Sequence, residues 1–215
     1  DVLGSRGLGD VYKRQKYGMI RQNDSQDAAL LRGVVGLNPR ELLKRYFGHS
    51  AFRPGQEALI DSVLSGRDVL GVMPTGAGKS MCYQIPALSM NGMTLVISPL
   101  ISLMADQVAA LNQAGIPAAY LNSSLDLEAY RQVLRGIRAG TYRLVYVAPE
   151  RLLVPGFLAA VSHTPIALVA VDEAHCVSQW GQDFRPSYLK IPEFLEQLPA
   201  RPVLGAFTAT ATAEV

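Results

Sequence analysis

Met73-Pro74-Thr75-Gly76-Ala77-Gly78-Lys79-Ser80 is the stretch on which the reading of this chain turns. An apolar run, Val69 to Val72, precedes it, and Met81 to Leu88 after it carries no charge. A strand, a glycine-rich bend and a helix opening on Lys-Ser make a phosphate-cradling loop. The glycines let the backbone curl, so that N–H groups from Thr75, Gly76, Ala77 and Gly78 onward converge on phosphate oxygens. Lys79 adds a cation, and the Ser80 hydroxyl can reach a bound Mg²⁺. A lysine at a helix start otherwise opposes the partial positive charge already there, and a bound phosphate removes that conflict. Met73 stands where the general pattern has its first glycine. The alternative, an ordinary strand-to-helix turn that binds nothing, explains neither Lys79 nor the spacing of Gly76, Gly78 and Ser80.

A second stretch supplies matching chemistry. Val171-Asp172-Glu173-Ala174-His175 ends another apolar run. Seen alone, a Val-Asp-Glu strand end is more often structural. Beside a phosphate loop it offers one carboxylate, Asp172, for the metal and another, Glu173, to activate water. The pair argues for an enzyme that hydrolyses a nucleoside triphosphate.

Working outward, the strands read as continuous apolar runs: Val69 to Val72, Thr94 to Ser98, Ala118 to Leu121, Leu144 to Ala148, Ile166 to Asp172 and Val203 to Thr208. Between them lie helical patterns at Lys79 to Leu88, Leu100 to Ala114, Leu125 to Ala139 and Ser187 to Leu198. Two more helices come first, Pro39 to Phe47 and one opened by Pro54 that runs to about Leu64. Runs without alternation belong to strands covered on both faces. Strands alternating with helices give an α/β class, a doubly wound, mostly parallel sheet flanked by helices. Such sheets bind ligands outside the carboxyl ends of their strands, where both motifs fall.

Composition sets bounds. The 215 residues, 49% hydrophobic and 18% charged, fit one large globular domain at 35–215. Residues 1–34 show no periodicity, and Asp1 to Gln15 reads as a non-native remnant, so this segment is expected to be disordered or foreign to the fold. A net charge of +2 gives no bulk case for nucleic acid. Cys82 and Cys176 have neither metal-ligand spacing nor a disulfide framework, and both read as buried thiols. Met81 to Ala105 is uncharged, but Pro86, Asn91, Gly92 and Pro99 divide it, so no membrane span is expected. A cytoplasmic protein, nucleoid-associated if bacterial, follows as the expectation.

An ordered series of motifs resembles the first RecA-like domain of the RecQ-type DNA helicases. It runs from Phe52-Arg53-Pro54-Gly55-Gln56 through Met73 to Leu88, then Ile97 to Met104, Leu121 to Ser124 and Tyr146 to Leu152. It continues from Asp172 through His175 into Cys176 to Pro186, and closes at Thr208-Ala209-Thr210-Ala211. The resemblance implies ATP with Mg²⁺, and DNA, single-stranded or a duplex with a single-stranded tail, as partner. It implies that the Gln56 amide reads the adenine edge, that Arg53 assists at the base, and that His49 stands where an aromatic ring stacks. Lys79, Asp172 and Glu173 become the catalytic set, Ser80 and Asp172 the metal ligands, and His175 the sensor of the γ-phosphate.

By the same resemblance, Trp180, Phe184 and Arg185 form an aromatic-rich loop that couples DNA contact to hydrolysis. Aromatic faces stack on bases and arginine pairs with phosphate. Gln182 replaces the histidine of that pattern, which is expected to blunt coupling without abolishing DNA binding. Ser98 to Ser102 and Asn122 to Ser124 either offer groups to DNA phosphates or simply cap helices and turns. The family's second RecA-like lobe supplies an arginine finger, so the chain is expected to be half of a motor. Two other readings stay open: a nucleotide- or DNA-binding module without turnover, and a lobe of an RNA helicase, against which the aromatic-rich loop weighs.

Overall fold

A computed structural model of the chain describes residues 37–177 and 185–210. Helix α1 (Pro39–Phe47) begins at a capping box, with the Asn38 side chain accepting from Arg40 N–H and the Glu41 side chain accepting from Asn38 N–H. It ends at left-handed Gly48. Helix α2 (Gln56–Leu64) starts two residues later than Pro54 suggests, because Gly55 is left-handed (φ +83°) and cannot belong to the helix.

Strand β1 (Val69–Val72) leads through the glycine loop into α3 (Met81–Ser89), so Lys79 and Ser80 belong to the loop and not to the helix as expected. Then follow β2 (Met93–Ile97), α4 (Ile101–Gln113), β3 (Ala118–Leu121), α5 (Leu127–Arg138) and β4 (Leu144–Val147). Helix α6 (Pro155–Val161) was not among the expected elements. Its seven residues are too short to show a helical period, and only Pro155 at its first turn marks it. Strand β5 (Ile166–Val171), helix α7 (Ile191–Glu196) and strand β6 (Val203–Thr208) complete the chain. The expected helix 187–198 is split: a 3₁₀ turn, Pro186–Lys190, precedes α7.

The six strands form one parallel sheet in the order β1-β6-β5-β2-β4-β3. Side chains from α1 to α4 build one apolar layer with Val96, Tyr146 and Phe207, and side chains from α5 to α7 build the other with Leu95, Val145 and Val169. All residues of β2 and β4 are buried, as continuous apolar strands require. The chain winds outward from β1 to β3 over the first layer and returns from β4 to β6 over the second. Right-handed crossovers impose that change of face when the direction of winding reverses. The reversal leaves a crevice at the carboxyl ends of the strands, lined by residues that follow β1, β2 and β5. Among the described residues no helix is long and apolar enough to cross a membrane.

Candidate active site

The phosphate loop continues the sheet by one bond, Met73 N–H to the Thr208 carbonyl at 2.9 Å. The Met73 side chain is buried and its sulfur lies 3.8 Å from Cys82 Sγ, so the departure from glycine adds to the core and leaves the bend intact. Burial pushes the Cys82 thiol up to about 12, and both cysteines are buried thiols outside any disulfide, as expected. The bend itself comes from Gly76 and Gly78, both left-handed at φ +79° and +80°.

Gln56 has a contact that its sequence context does not show. The side chain is buried, with Oε1 accepting from Arg53 N–H at 2.8 Å. Nε2 donates to the Ala77 and Gly78 carbonyls at 3.2 and 2.9 Å. A Cβ on Gly78 would lie 2.6 Å from that same nitrogen. Here, then, the amide also supports the phosphate loop from the cavity wall. Arg53 reaches over the loop to bond the Gly76 carbonyl. His49 is exposed at the rim.

Asp172 sits just past β5. Its N–H bonds the Ile97 carbonyl at 2.8 Å, its own carbonyl accepts from the Tyr188 hydroxyl at 2.8 Å, and Ser98 Oγ donates to Oδ2 at 3.4 Å. Burial, then the neighbouring Glu173 charge, pushes its carboxyl up to about 6, with Lys79 among the groups opposing the shift. Such a carboxylate is short of positive charge, which a divalent cation would supply. Among the described residues no three His, Cys, Asp or Glu side chains gather as a metal site by themselves. The donor set therefore fits Mg²⁺ held by one carboxylate, a hydroxyl and substrate phosphates, not a metal caged by protein.

Glu173 is the one non-glycine residue with positive φ (+49°) among the described residues. Its Oε2 lies 3.3 Å from His175 Nδ1, which also stands 2.9 Å from Thr208 Oγ1. Thr208 Oγ1 donates its proton to the Thr210 carbonyl at 2.7 Å. The hydroxyl can then only accept from the imidazole, which assigns the proton to Nδ1.

One cavity of about 520 Å³ joins these groups, lined by His49, Arg53, Gln56, Thr75, Lys79 and Ser80 together with Asp172 and Glu173. Its size suits a small organic ligand. It extends further than expected, toward Gln107 of α4 and Tyr146 of β4, where Gln84 donates to both at 2.9 and 3.0 Å. Sequence reading missed this extension, because Gln84 and Gln107 lie in different helices and nothing in their spacing pairs them. It also missed the roles of Thr208 and Tyr188. Ser98 is buried and turned toward Asp172, which is neither of the two uses left open for it, a DNA-phosphate contact or a helix cap. Asn122 is buried and accepts from Ser124 N–H and Oγ, so that segment is a turn former. Arg185 is exposed and its N–H bonds the Cys176 carbonyl at 3.1 Å. Trp180, Gln182 and Phe184 lie outside the described residues, as do residues 1–34.

Comparison with known proteins shows the family. The sequence profile of the DEAD/DEAH box helicase family matches residues 53–215. The chain is 51% identical over 177 residues to the ATP-dependent DNA helicase RecQ of Bacillus subtilis, covering 82% of this chain and 30% of that protein. It is 50% identical over 170 residues to the protein of the same name from Haemophilus influenzae, covering 79% and 27%. The chain thus spans about 30% of the length of these relatives. A solved structure of a hypothetical ATP-dependent RNA helicase from Sulfolobus tokodaii superposes with TM-score 0.64 at 25% identity, over 82% of this chain and 51% of that one. The Mycobacterium smegmatis helicase Lhr, bound to single-stranded DNA and AMP-PNP, shares the fold alone, with TM-score 0.62 at 18% identity over 82% and 26%.

Proposed function

The chain belongs to the DEAD/DEAH box helicase family, and on that footing we propose that it is the ATP-binding lobe of a RecQ-type 3′-to-5′ DNA helicase. The observation that carries the reading is one cavity lined by Lys79 and the glycine loop together with Asp172 and Glu173. The DNA substrate is favoured over RNA by the relatives: about half of the residues match proteins named DNA helicases, against a quarter for the solved structure titled as an RNA helicase.

In this reading the loop N–H groups and Lys79 bind the β- and γ-phosphates of ATP. Ser80 and Asp172 would hold Mg²⁺, which when bound neutralises the phosphate oxygens as charge develops. Glu173, left-handed at the cavity wall, orients and polarises the attacking water. His175, bridging Glu173 and Thr208, reports an occupied γ-phosphate site to β6. Arg53, Gln56 and His49 form the base end. Residues 35–215 serve as one RecA-like unit, and a second lobe of the longer protein closes over the nucleotide. Trp180, Gln182, Phe184 and Arg185 are proposed to meet single-stranded DNA.

The testing experiment measures ATP binding and turnover by this chain with and without single-stranded DNA or RNA. Binding of Mg-ATP with very slow turnover is expected, since arginine fingers contribute about 10³–10⁵ in rate in other P-loop enzymes. Absence of nucleotide binding, or a response to RNA and none to DNA, overturns the reading.

A further inference from the structure

The peptide joining Asp172 to Glu173 carries the two functional carboxylates on its flanks, and its plane is held from outside the cavity. Tyr188, buried in the 3₁₀ turn Pro186–Lys190, donates its hydroxyl to the carbonyl of Asp172 at 2.8 Å. Strand β5 ends at Val171, and the Asp172 N–H still bonds Ile97 of β2 at 2.8 Å. The Asp172 carbonyl has passed the end of the ladder, and the phenol takes the place that a neighbouring strand's N–H would fill.

The next residue is left-handed Glu173, a conformation that residues with a Cβ leave unless the surroundings hold it. Rotating one peptide plane changes ψ of residue 172 and φ of residue 173 together. If Glu173 relaxed, the Asp172 carbonyl would have to turn away from Tyr188. Of the remaining restraints, Cys176 N–H to the Glu173 carbonyl at 2.9 Å and His175 Nδ1 at 3.3 Å act on the far side of Glu173, and the bond from Glu173 N–H to the Asp172 carboxylate lies within the turn, so Tyr188 is what ties that plane to another element. We propose that Tyr188 is a positioning residue whose hydroxyl locks the Asp172–Glu173 peptide and so keeps Glu173 left-handed, with its carboxylate aimed into the cavity. The kinetic part rests on the proposed role of Glu173 in hydrolysis, whereas the conformational part does not.

Tyr188→Phe removes one oxygen and keeps the ring that packs against the core. Crystal structures of the nucleotide-free parent and variant are the primary test. The expected result is a rotated 172–173 peptide with Glu173 at negative φ in the variant. Glu173 left-handed in both structures overturns the proposal, whatever is found about ATP.

Thermal melting gives a second measurement should the variant not crystallise. Glu173→Gly relieves the left-handed strain and should raise the melting temperature of the parent. In a Tyr188→Phe background, where Glu173 has already relaxed, it should raise it less. Equal gains in both backgrounds overturn the proposal, and a purely structural tyrosine would give equal gains.

Single-turnover hydrolysis then reads function. Tyr188→Phe should lose about tenfold in rate, on the scale of one hydrogen bond, at unchanged ATP affinity. In a Glu173→Gln background it should cause no further loss. Independent, multiplicative losses count against action through Glu173. A parent that binds no ATP would refute the nucleotide reading and leave the crystallographic test standing.

Discussion

His175 Nδ1 lies 2.9 Å from Thr208 Oγ1, and through that contact the carboxylate-bearing turn is fastened to the strand beside the phosphate loop. The Thr208 carbonyl accepts from Met73 N–H at 2.9 Å, so one threonine touches both halves of the site through its two oxygens. Thr208→Val keeps the shape and removes the nearer acceptor, leaving the part-buried imidazole N–H to the Glu173 carboxylate at 3.3 Å. A loss of about 1–3 kcal/mol is expected, seen as a fall of a few degrees in melting temperature. ATP affinity should hold while turnover falls about tenfold or more. Unchanged turnover would show that the histidine contact is structural only.

Lys79 is the cation of the phosphate loop and makes no ion pair with an acidic side chain among the described residues. Lys79→Ala should therefore leave melting of the nucleotide-free chain within about 0.5 kcal/mol of the parent, as for an ordinary surface change. Mg-ATP should no longer raise the melting temperature, since the cation on the phosphates is gone. Retained stabilisation by ATP would remove Lys79 from the site.

Gln56 can be tested against its two jobs. Its amide braces the Ala77 and Gly78 carbonyls, so Gln56→Ala should weaken ATP and GTP binding alike by loosening the loop. Any base reading adds a loss for ATP alone, because the edge of guanine reverses the donor and acceptor pattern. Isothermal titration of both nucleotides separates the two contributions. Gly78→Ala should damage the loop independently, by forcing a Cβ against Gln56 Nε2 at left-handed φ. Normal affinity for both nucleotides in Gln56→Ala would rule out either job.

The acid strength of Asp172 sets a pH dependence with a definite sign. Its carboxyl rises from the ordinary 3.8 to about 6, so the folded chain binds this proton more tightly than the unfolded chain. Stability from this group is highest below about pH 4 and falls as pH climbs to about 6. Above that the ionised, buried group costs on the order of 2–3 kcal/mol. In metal-free buffer at neutral pH, Asp172→Asn should melt several degrees higher than the parent, and the gain should vanish near pH 4. A gain independent of pH would point to packing instead of charge.

Much of the site was legible in the chain itself, because local rules wrote it. Gly76 and Gly78 are needed where φ is positive, Lys79 and Ser80 follow at fixed spacing, and Asp172 and Glu173 end an apolar run. Those features depend on neighbours in sequence, and so do the strands, whose apolar runs stand out between helical patterns. Helix α6 was illegible because seven residues make too few turns for a period to show.

The sequence alone thus determined a parallel sheet flanked by helices and the residues at its strand ends. Tertiary structure decided how those residues are used. Gln56 turns its amide to the loop because α2 packs directly behind it. Ser98 turns inward because β2 lies beside β5, and Tyr188 reaches the Asp172 carbonyl across a gap of sixteen residues. Each of these is a hydrogen bond between segments whose separation in the chain carries no signal. Only the burial of polar groups, which demands partners wherever the fold brings them, selects which pairs meet.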